Sequence, residues 1–288
     1  MKRYLRNLSR RPIVMLAVVI LTVIVLAGIL AEAVVPHDPF ASNLSLRNQP
    51  PGTPDPDGGL TYLLGTDPLG RDILSRLIIG ARVSISVGLA SVLLSGTIGF
   101  ALGLIAGYFR GWVDDVIMRL VDLQMSVPSL LIALLVLYVL GPSLINVVLV
   151  LAISRWMVYA RVSRAMILSL REEPFIEAAH VLGASHLRTI VRHMIPNMIA
   201  PVLVLATLEF AVVLLTEAAL SFLGLGIQPP QSSWGLMLAN GREYLTSAWW
   251  MVMFPGLAIL LTTLSINLIA TWLRSETGGV AEALREEA

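Results

Sequence analysis

The sequence contains no cysteine and only one lysine, Lys2. Without cysteine, the chain can form no disulfide, no thiolate zinc site and no thiol nucleophile. A nucleotide-binding P-loop requires the pattern G-x-x-x-x-G-K-[ST], in which the lysine reaches the phosphates. Lys2 lies in no such pattern, so an ATPase site of this type is excluded. Any ATP that drives the function must therefore bind to another chain.

Charged residues are also scarce. Only 14% of the 288 residues are Asp, Glu, Lys or Arg, whereas 56% are apolar. A soluble domain carries about 25% charged residues, so the composition predicts an all-α polytopic membrane protein. The histidines show no metal-ligand spacing in the apolar segments, and we expect His180 and His186 to lie on the surface of a loop. We expect neither a metal nor a cofactor.

Six apolar segments are long enough to cross a bilayer as helices. The first, 13–35, corresponds to roughly 34 Å of helix, against a hydrocarbon core of about 30 Å. An alternative for this segment is a signal peptide, since Ala31-Glu32-Ala33 resembles a cleavage site. Its apolar stretch is longer than the usual ~7–15 residues, which favours an uncleaved anchor. The predicted spans are 13–35, 83–108, 113–140, 144–170, 198–223 and 248–273.

Two spans carry residues that predict a particular geometry. Gly99, Gly103 and Gly107 recur every four residues in the second span. Small residues at this spacing allow a neighbouring helix to approach closely. Pro128 lies inside the third span, and proline removes a backbone donor there, so we predict a kink.

Two segments outside the spans, 36–64 and 224–247, are rich in Pro, Gly and Asn and are typical of external loops. After the first, Asp67 and Pro68 have the residue types of a helix N-cap and first position. They predict a short helix that runs to Ile79.

The basic residues predict the orientation of the chain. Fifteen of the twenty Lys and Arg residues lie in segments assigned to the cytoplasmic side, Arg155 among them, and five lie in external segments. Cytoplasmic loops carry such an excess. Both termini are therefore predicted to be cytoplasmic. Trp249 and Trp250 open the sixth span and are typical of an interfacial anchor.

The polar segment 172–197, between the fourth and fifth spans, is predicted to contain two short helices. Pro174 would end the preceding helix. Residues 175–182 would form the first short helix, and Gly183 would end it in the left-handed conformation. The second would run to His193 and be closed by Pro196. An ordinary cytoplasmic loop is the alternative. One face of the first helix carries Phe175, Ala178, Ala179 and Leu182.

The spacing within this segment resembles the EAA loop of ABC importer permeases. Residues 177–179 read EAA, Gly183 follows after three residues, and HMIP at 193–196 follows after nine more. The general pattern has Ile where His193 stands and Leu where Ile195 stands. The run RHMIPN at 192–197 is similar to the peptide branch of the family. Further runs resemble the same branch: LGTDPLGRD at 64–72, GYFRGWVDD at 107–115, LTEAALSFLGLGIQPP at 215–230 and SWG at 233–235.

The resemblance implies a type I ABC importer permease fold with six transmembrane helices, in the second, C-type permease subunit of a dipeptide, oligopeptide or nickel importer. It implies an inner-membrane location, a heterodimer with a related permease, two ATPase subunits and an external solute-binding protein. The chain itself would not be an enzyme. Di- or oligopeptides are the expected solutes, and nickel or another small solute is the alternative. Trp234 and Tyr244 would offer contact area to the binding protein.

The same resemblance predicts the organisation of the chain. Residues 1–64 would hold the N-terminal tail, the first span and an external loop; residues 65–275 the five-helix core; and residues 276–288 a cytoplasmic tail. The loop at 172–197 would couple the core to the ATPases. The predicted ATPase-coupling residues are Phe175, Glu177, Ala178, Ala179, Leu182 and Gly183.

The residues leave two other functions to weigh against this one. Glu209 and Glu217 lie eight residues apart in the fifth span, on roughly one helix face, and intramembrane acids are candidates for proton carriers. A proton-coupled secondary transporter would usually show inverted repeats, and we find none in the sequence. The run at 215–230 that contains Glu217 resembles the peptide branch, and this resemblance favours a structural role for both carboxylates. An intramembrane hydrolase would need a nucleophile motif such as G-x-S-x-G or H-E-x-x-H, and neither occurs.

Overall fold

The computed structural model describes residues 11–56 and 58–286. The part of the predicted N-terminal tail before residue 11 therefore lies outside the described residues. No strand occurs within these ranges, and two isolated bridges join Thr53 to Tyr62 and Thr66 to Asp72. The α-helices are α1 (Pro12–Ile29), α2 (Ala31–Val34), α3 (Ile73–Phe109), α4 (Gly111–Met125), α5 (Ser129–Leu140), α6 (Leu144–Ile153), α7 (Trp156–Leu170), α8 (Pro174–Val181), α9 (His186–Thr189), α10 (Ile195–Phe222), α11 (Trp234–Gly241) and α12 (Trp250–Glu286).

The prediction of an all-α protein with six spans is confirmed. Five helical stretches of the described chain are long and apolar enough to cross a membrane, and the bent pair α4 with α5 makes a sixth when the two helices are counted as one span. α12 continues past the predicted end of the last span into the tail, as far as Glu286. The five single stretches are Pro12–Ile29, Ile73–Phe109, Leu144–Leu170, His186–Phe222 and Trp250–Ser275.

Two of the spans are broken. The predicted kink at Pro128 is confirmed: α4 and α5 meet at 85°, and Pro128 lies directly before α5. The fourth span is also interrupted, between α6 and α7, at Ser154 and Arg155. No proline or glycine marks this second break, so the sequence pattern did not reveal it.

The helix at the start of the core begins later than predicted. Asp72, not Asp67, caps α3: its Oδ2 accepts hydrogen bonds from Ser75 N at 2.8 Å and from Ser75 Oγ at 2.6 Å. Asp67 instead closes the preceding turn, because its carboxylate accepts from Leu69 N and from the Arg71 guanidinium. The predicted short helix to residue 79 was wrong, since α3 is one continuous helix of 37 residues.

Gly99, Gly103 and Gly107, which we call the glycine ladder, form the predicted close contact between α3 and α7. A Cβ atom added at Gly99 would lie 2.1 Å from Trp156 O, and one at Gly103 would lie 2.3 Å from Ala160 O. At Gly107 the same test gives 2.9 Å to the next turn of α7. Real Cβ atoms do not approach carbonyl oxygens this closely, so only glycine permits this packing.

Trp234 and Trp250 pack inside the protein and do not offer their rings to a partner or to the membrane interface. Trp234 is 1% exposed, and its Nε1 donates to Leu77 O at 2.9 Å. Trp250 is also buried, and its Nε1 donates to Thr66 O at 3.1 Å. The expectation that Trp234 would offer contact area was wrong, and of the predicted aromatic anchor only Trp249 is exposed.

We predict that Gly103→Ala destabilises the chain strongly, whereas Gly96→Ala does not. The added methyl at Gly103 would press on the Ala160 carbonyl, while at Gly96 it would meet the Tyr159 ring at an ordinary 3.4 Å. The cost at Gly103 should reach the ~1–3 kcal/mol typical of overpacking. Thermal unfolding of the two variants in detergent checks this, and equal melting temperatures would contradict the α3–α7 contact.

Candidate functional site

The loop at 172–197 connects α7 to α10, and we call the end of the bundle that carries it the loop end. α7 already ends at Leu170, where Arg171 N donates to Ile167 O at 3.0 Å. Pro174 is the first residue of α8. Proline suits that position because its missing N–H would have no partner in the first turn. Pro174 therefore starts the next helix and does not end the previous one, as the sequence had suggested.

Gly183 ends α8 as predicted, with a φ of +78°. Leu182 N donates to Ala178 O, and Ala184 N donates to Ala179 O, both at 3.0 Å. These bonds occupy carbonyls that the end of the helix would otherwise leave free. No atom lies within 4 Å of a Cβ added at Gly183, so the site is open to the surroundings.

The short helix α8 has a buried side and an exposed side. Ile176 is 1% exposed and Ala179 is also buried, so these two side chains face the bundle. The single face predicted from the sequence is therefore split, since Ala179 lies on the buried side. The other predicted coupling residues are exposed, namely Phe175, Glu177, Ala178, Leu182 and Gly183.

Several large apolar side chains of the loop are exposed. Val181 and Leu182 are 83% and 87% exposed, and Leu187 in the second arm is 71% exposed. An exposed apolar patch of this kind is typical of a surface that another protein covers. Together with Phe175, these residues form what we call the apolar tip of the loop.

The second short helix predicted in the loop does not end where it was predicted to end. After α9, the chain passes through a π-helical turn, Ile190–Met194, directly into α10. Pro196 lies in the first turn of α10 and closes nothing. Pro196 has no N–H to donate to the preceding turn, and the π-helical turn lies directly before the first turn of α10.

The loop is attached to the end of α3 at two points, at its start and at α9. Tyr108 Oη lies 2.6 Å from His186 Nδ1. Arg171 donates from Nη1 to Tyr108 O at 2.6 Å, and its guanidinium lies 5.6 Å from the centre of the Tyr108 ring. His186 is exposed, as expected, but it also forms this specific contact. The side chain of His180 lies outside the described part of the chain.

A hydrophobic cluster lies beneath the loop. Ile176 of α8 packs in the same buried cluster as side chains of α3, α7, the π-helical turn and α10. A displacement of α8 must therefore move this cluster. Its buried members are Leu104, Tyr108, Ile167, Ile176, Ile190, Met194 and Met198.

Arg155 and Glu209 form a two-pronged ion pair within the bundle. Arg155 Nε lies 2.6 Å from Glu209 Oε2, and Nη2 lies 2.8 Å from Oε1. Glu209 is 5% exposed. The sequence had assigned Arg155 to the cytoplasmic side, and it did not reveal this pair. Since both oxygens of Glu209 are engaged, the structural role is favoured over that of a proton carrier.

Glu217 binds the neighbouring helix α11. Its Oε1 accepts from Ser221 Oγ at 2.8 Å and from Ser233 Oγ at 2.9 Å. Ser233 is at the same time the N-cap of α11, because its Oγ accepts from Leu236 N. Glu217 therefore joins α10 to the start of α11, which supports the structural role favoured for it.

The two predicted external segments meet at the end opposite the loop. Arg47 Nη2 donates to Tyr244 Oη at 3.3 Å. An open cleft of 610 Å³ also lies there, with Arg71, Arg242 and Glu243 among its lining residues.

The chain is similar to proteins of one class. Residues 99–277 match the family described as binding-protein-dependent transport system inner membrane component. Residues 1–51 match the N-terminal TM domain of oligopeptide transport permease C. Among solved structures, the methionine ABC transporter MetNI in inward-facing conformations aligns with a TM-score of 0.56 at 17% identity, over 70% of this chain and 97% of that one. This likeness concerns the fold alone.

Several curated relatives align over most of their length. The di/tripeptide transport system permease protein of Pseudomonas aeruginosa is 44% identical, over 87% of this chain and 82% of the relative. The dipeptide transport system permease protein of Alkalihalophilus pseudofirmus is 39% identical over 93% and 86%. The nickel transport system permease protein of Escherichia coli is 37% identical over 93% and 94%.

We predict that Glu209→Gln lowers stability by about 3–5 kcal/mol, because it leaves the Arg155 cation buried without its partner. The double variant Arg155→Gln with Glu209→Gln should cost less than the sum of the two single variants. Thermal unfolding of the two single variants and the double variant in detergent gives the coupling energy.

The pair Arg82–Glu32 provides the control. It has a similar distance of 2.7 Å, but Glu32 is 81% exposed. Glu32→Gln should therefore change stability by no more than about 1 kcal/mol. Equal losses for Glu32→Gln and Glu209→Gln would show that burial of the Arg155–Glu209 pair has no energetic weight.

Proposed function

The chain belongs to the family of binding-protein-dependent transport system inner membrane components, the permeases of ABC importers, and we propose that it carries di- and oligopeptides across the inner membrane. The similarity to the di/tripeptide permease, 44% over 87% of this chain, carries the choice of solute. The nickel permease relative, at 37%, makes nickel the second candidate.

The ATPase subunits bind, in this proposal, to the apolar tip of the loop at 172–197. The chain has no P-loop, so ATP hydrolysis must take place on partner chains. The tip exposes Phe175, Val181, Leu182 and Leu187, while the backbone at Gly183 is open to close approach. Glu177, exposed beside this surface, would pair with a cation of the ATPase.

Motion of the ATPases would pass from α8 into the bundle. Ile176 packs in the cluster beneath the loop, so displacement of α8 acts on α3, α7 and α10 together. Tyr108 holds both arms of the loop to α3 through His186 and Arg171. The helices would then rock as one body and open the path to alternate sides of the membrane.

The remaining partners are a related permease subunit, a second ATPase subunit and an external solute-binding protein. The segments 36–64 and 224–247 lie together at the end opposite the loop, with Arg47 donating to Tyr244. In the proposal, this surface receives the binding protein. The open cleft of 610 Å³ at the same end offers charged groups of both signs to it, among them Arg242 and Glu243.

Both termini are cytoplasmic in this proposal, so a reporter fused after Ala288 should be protected from an impermeant reagent in intact cells. A tag inserted after Gly58 should be accessible instead. The reason is the excess of basic residues assigned to the loop end. Labelling of tagged cells before and after permeabilisation gives the measurement. Finding both tags on the same side would contradict the six-span arrangement.

Peptide uptake should be lost when Gly183 is replaced by leucine. The native φ of +78° costs a residue other than glycine on the order of 1 kcal/mol or more, and the side chain would obstruct the partner. We expect at least about a tenfold fall in uptake, together with a loss of the ATPase on co-purification. The assay is ATP-dependent uptake of a labelled dipeptide by vesicles that contain all subunits. If wild-type vesicles take up nickel and no peptide, the proposed solute is wrong.

Matched controls separate coupling from strain and from charge. Gly141 has a φ of +79° and no atom within 4 Å of an added Cβ, but it lies at the end of α5. Gly141→Leu should therefore retain uptake. Glu177→Arg should abolish uptake, whereas Asp115→Arg, another exposed acidic position, should retain it. Wild-type uptake by Gly183→Leu and Glu177→Arg at matched expression would place the coupling contact elsewhere.

A further inference from the structure

The two broken spans meet each other inside the bundle. Gln124, in the last turn of α4, bridges to both sides of the α6–α7 break. Its Nε2 donates to Ile153 O, and its Oε1 accepts from Trp156 Nε1 at 2.7 Å. The break between α4 and α5 at 126–128 and the break between α6 and α7 therefore lie next to each other. We call the region that contains both breaks the double break.

The double break lies near the middle of the membrane. Arg155, at the α6–α7 break, is paired with Glu209. Glu209 stands halfway along α10, which runs from Ile195 to Phe222. At 1.5 Å per residue, about 20 Å of helix separate it from either end. The double break is therefore far from both surfaces of a hydrocarbon core about 30 Å thick.

Lipid offers no partner to the carbonyl groups of this region, although the N–H groups of Ser126 and Val127 are bound to Asp122 O and Gln124 O. Ser126, Val127 and Pro128 are all exposed in the single chain. Backbone that leaves the helical hydrogen-bonding pattern is tolerated at this depth only against protein or water, since hydrocarbon offers no hydrogen-bond partner. The exposed side of the double break must therefore face another subunit or a water-filled passage.

Arg155 retains one donor group outside its ion pair with Glu209. Its Nε and Nη2 are bound to Glu209, but no residue in the described part of the chain accepts a hydrogen bond from its Nη1. The Arg155 side chain is 18% exposed. A half-buried guanidinium with an unused N–H group is suited to bind an oxygen acceptor.

We propose that the double break lines the translocation path, and that Ser126 and the open edge of Arg155 contact the solute as it crosses. The proposal rests on the proposed function for the nature of that solute: the carbonyl and terminal carboxylate oxygens of a peptide are the acceptors that Arg155 Nη1 would bind. Water reaches the break when the path is open, which satisfies the backbone there. The site thus serves passage through the membrane, and the loop serves coupling.

The absence of cysteine allows a direct test. Ser126→Cys should react with a membrane-impermeant methanethiosulfonate in the assembled importer, at least about ten times faster than a lipid-covered position. Thr97→Cys is the matched control, because Thr97 is also exposed and also donates to a carbonyl of its own helix, but it lies in the unbroken α3. The mass of this chain gives the extent of labelling.

The second measurement adds the transported dipeptide with its binding protein and a non-hydrolysable ATP analogue. Labelling of Ser126→Cys should slow by several-fold, whereas that of Thr97→Cys should not change. Labelling of Ser126→Cys no faster than Thr97→Cys, or labelling that the transported solute does not slow, would overturn the proposal. If the importer carries nickel instead of peptides, the proposed solute is wrong. Slower labelling of Ser126→Cys in the presence of the nickel solute would then support the proposal for the double break, and unchanged labelling would overturn it.

Discussion

A hydrocarbon core offers no hydrogen-bond partner, and the rest of this structure depends on that constraint. Each candidate span of the described chain is therefore helical. The constraint also explains where polar side chains lie. At the double break, Gln124 donates a hydrogen bond to Ile153 O at the end of α6, and Glu209 forms an ion pair with Arg155. Polar side chains thus pair with each other or with the backbone at the double break.

One helix connects the loop to the double break. α7 starts at Trp156, directly after Arg155, and ends at Leu170, directly before the residue that binds Tyr108. Its 15 residues span about 22 Å. The glycine ladder of α3 holds α7 by backbone contact, so the two helices cannot slide past each other without a clash. A movement that begins at α8 therefore reaches Arg155 through rigid structure.

The sequence predicted the features that depend on local chemistry. Gly183 takes its left-handed conformation, Pro128 bends its span, and the glycine ladder packs closely, because each follows from the residue's own backbone or size. Features that depend on distant partners were missed. Arg155 and Glu209 are 54 positions apart in the sequence, and Trp234 and Leu77, which accepts its N–H, are 157 positions apart. No periodicity in the sequence carries that information.

The π-helical turn at Ile190–Met194 sets the rotation of everything after it. A π-turn holds one residue more than an α-turn, and one residue corresponds to about 100° around a helix. Removing that residue would leave the loop and α10 continuous but would turn the faces of α10. Glu209 would then point away from Arg155, and Glu217 away from Ser233. The extra residue thus keeps the loop in register with both buried carboxylates.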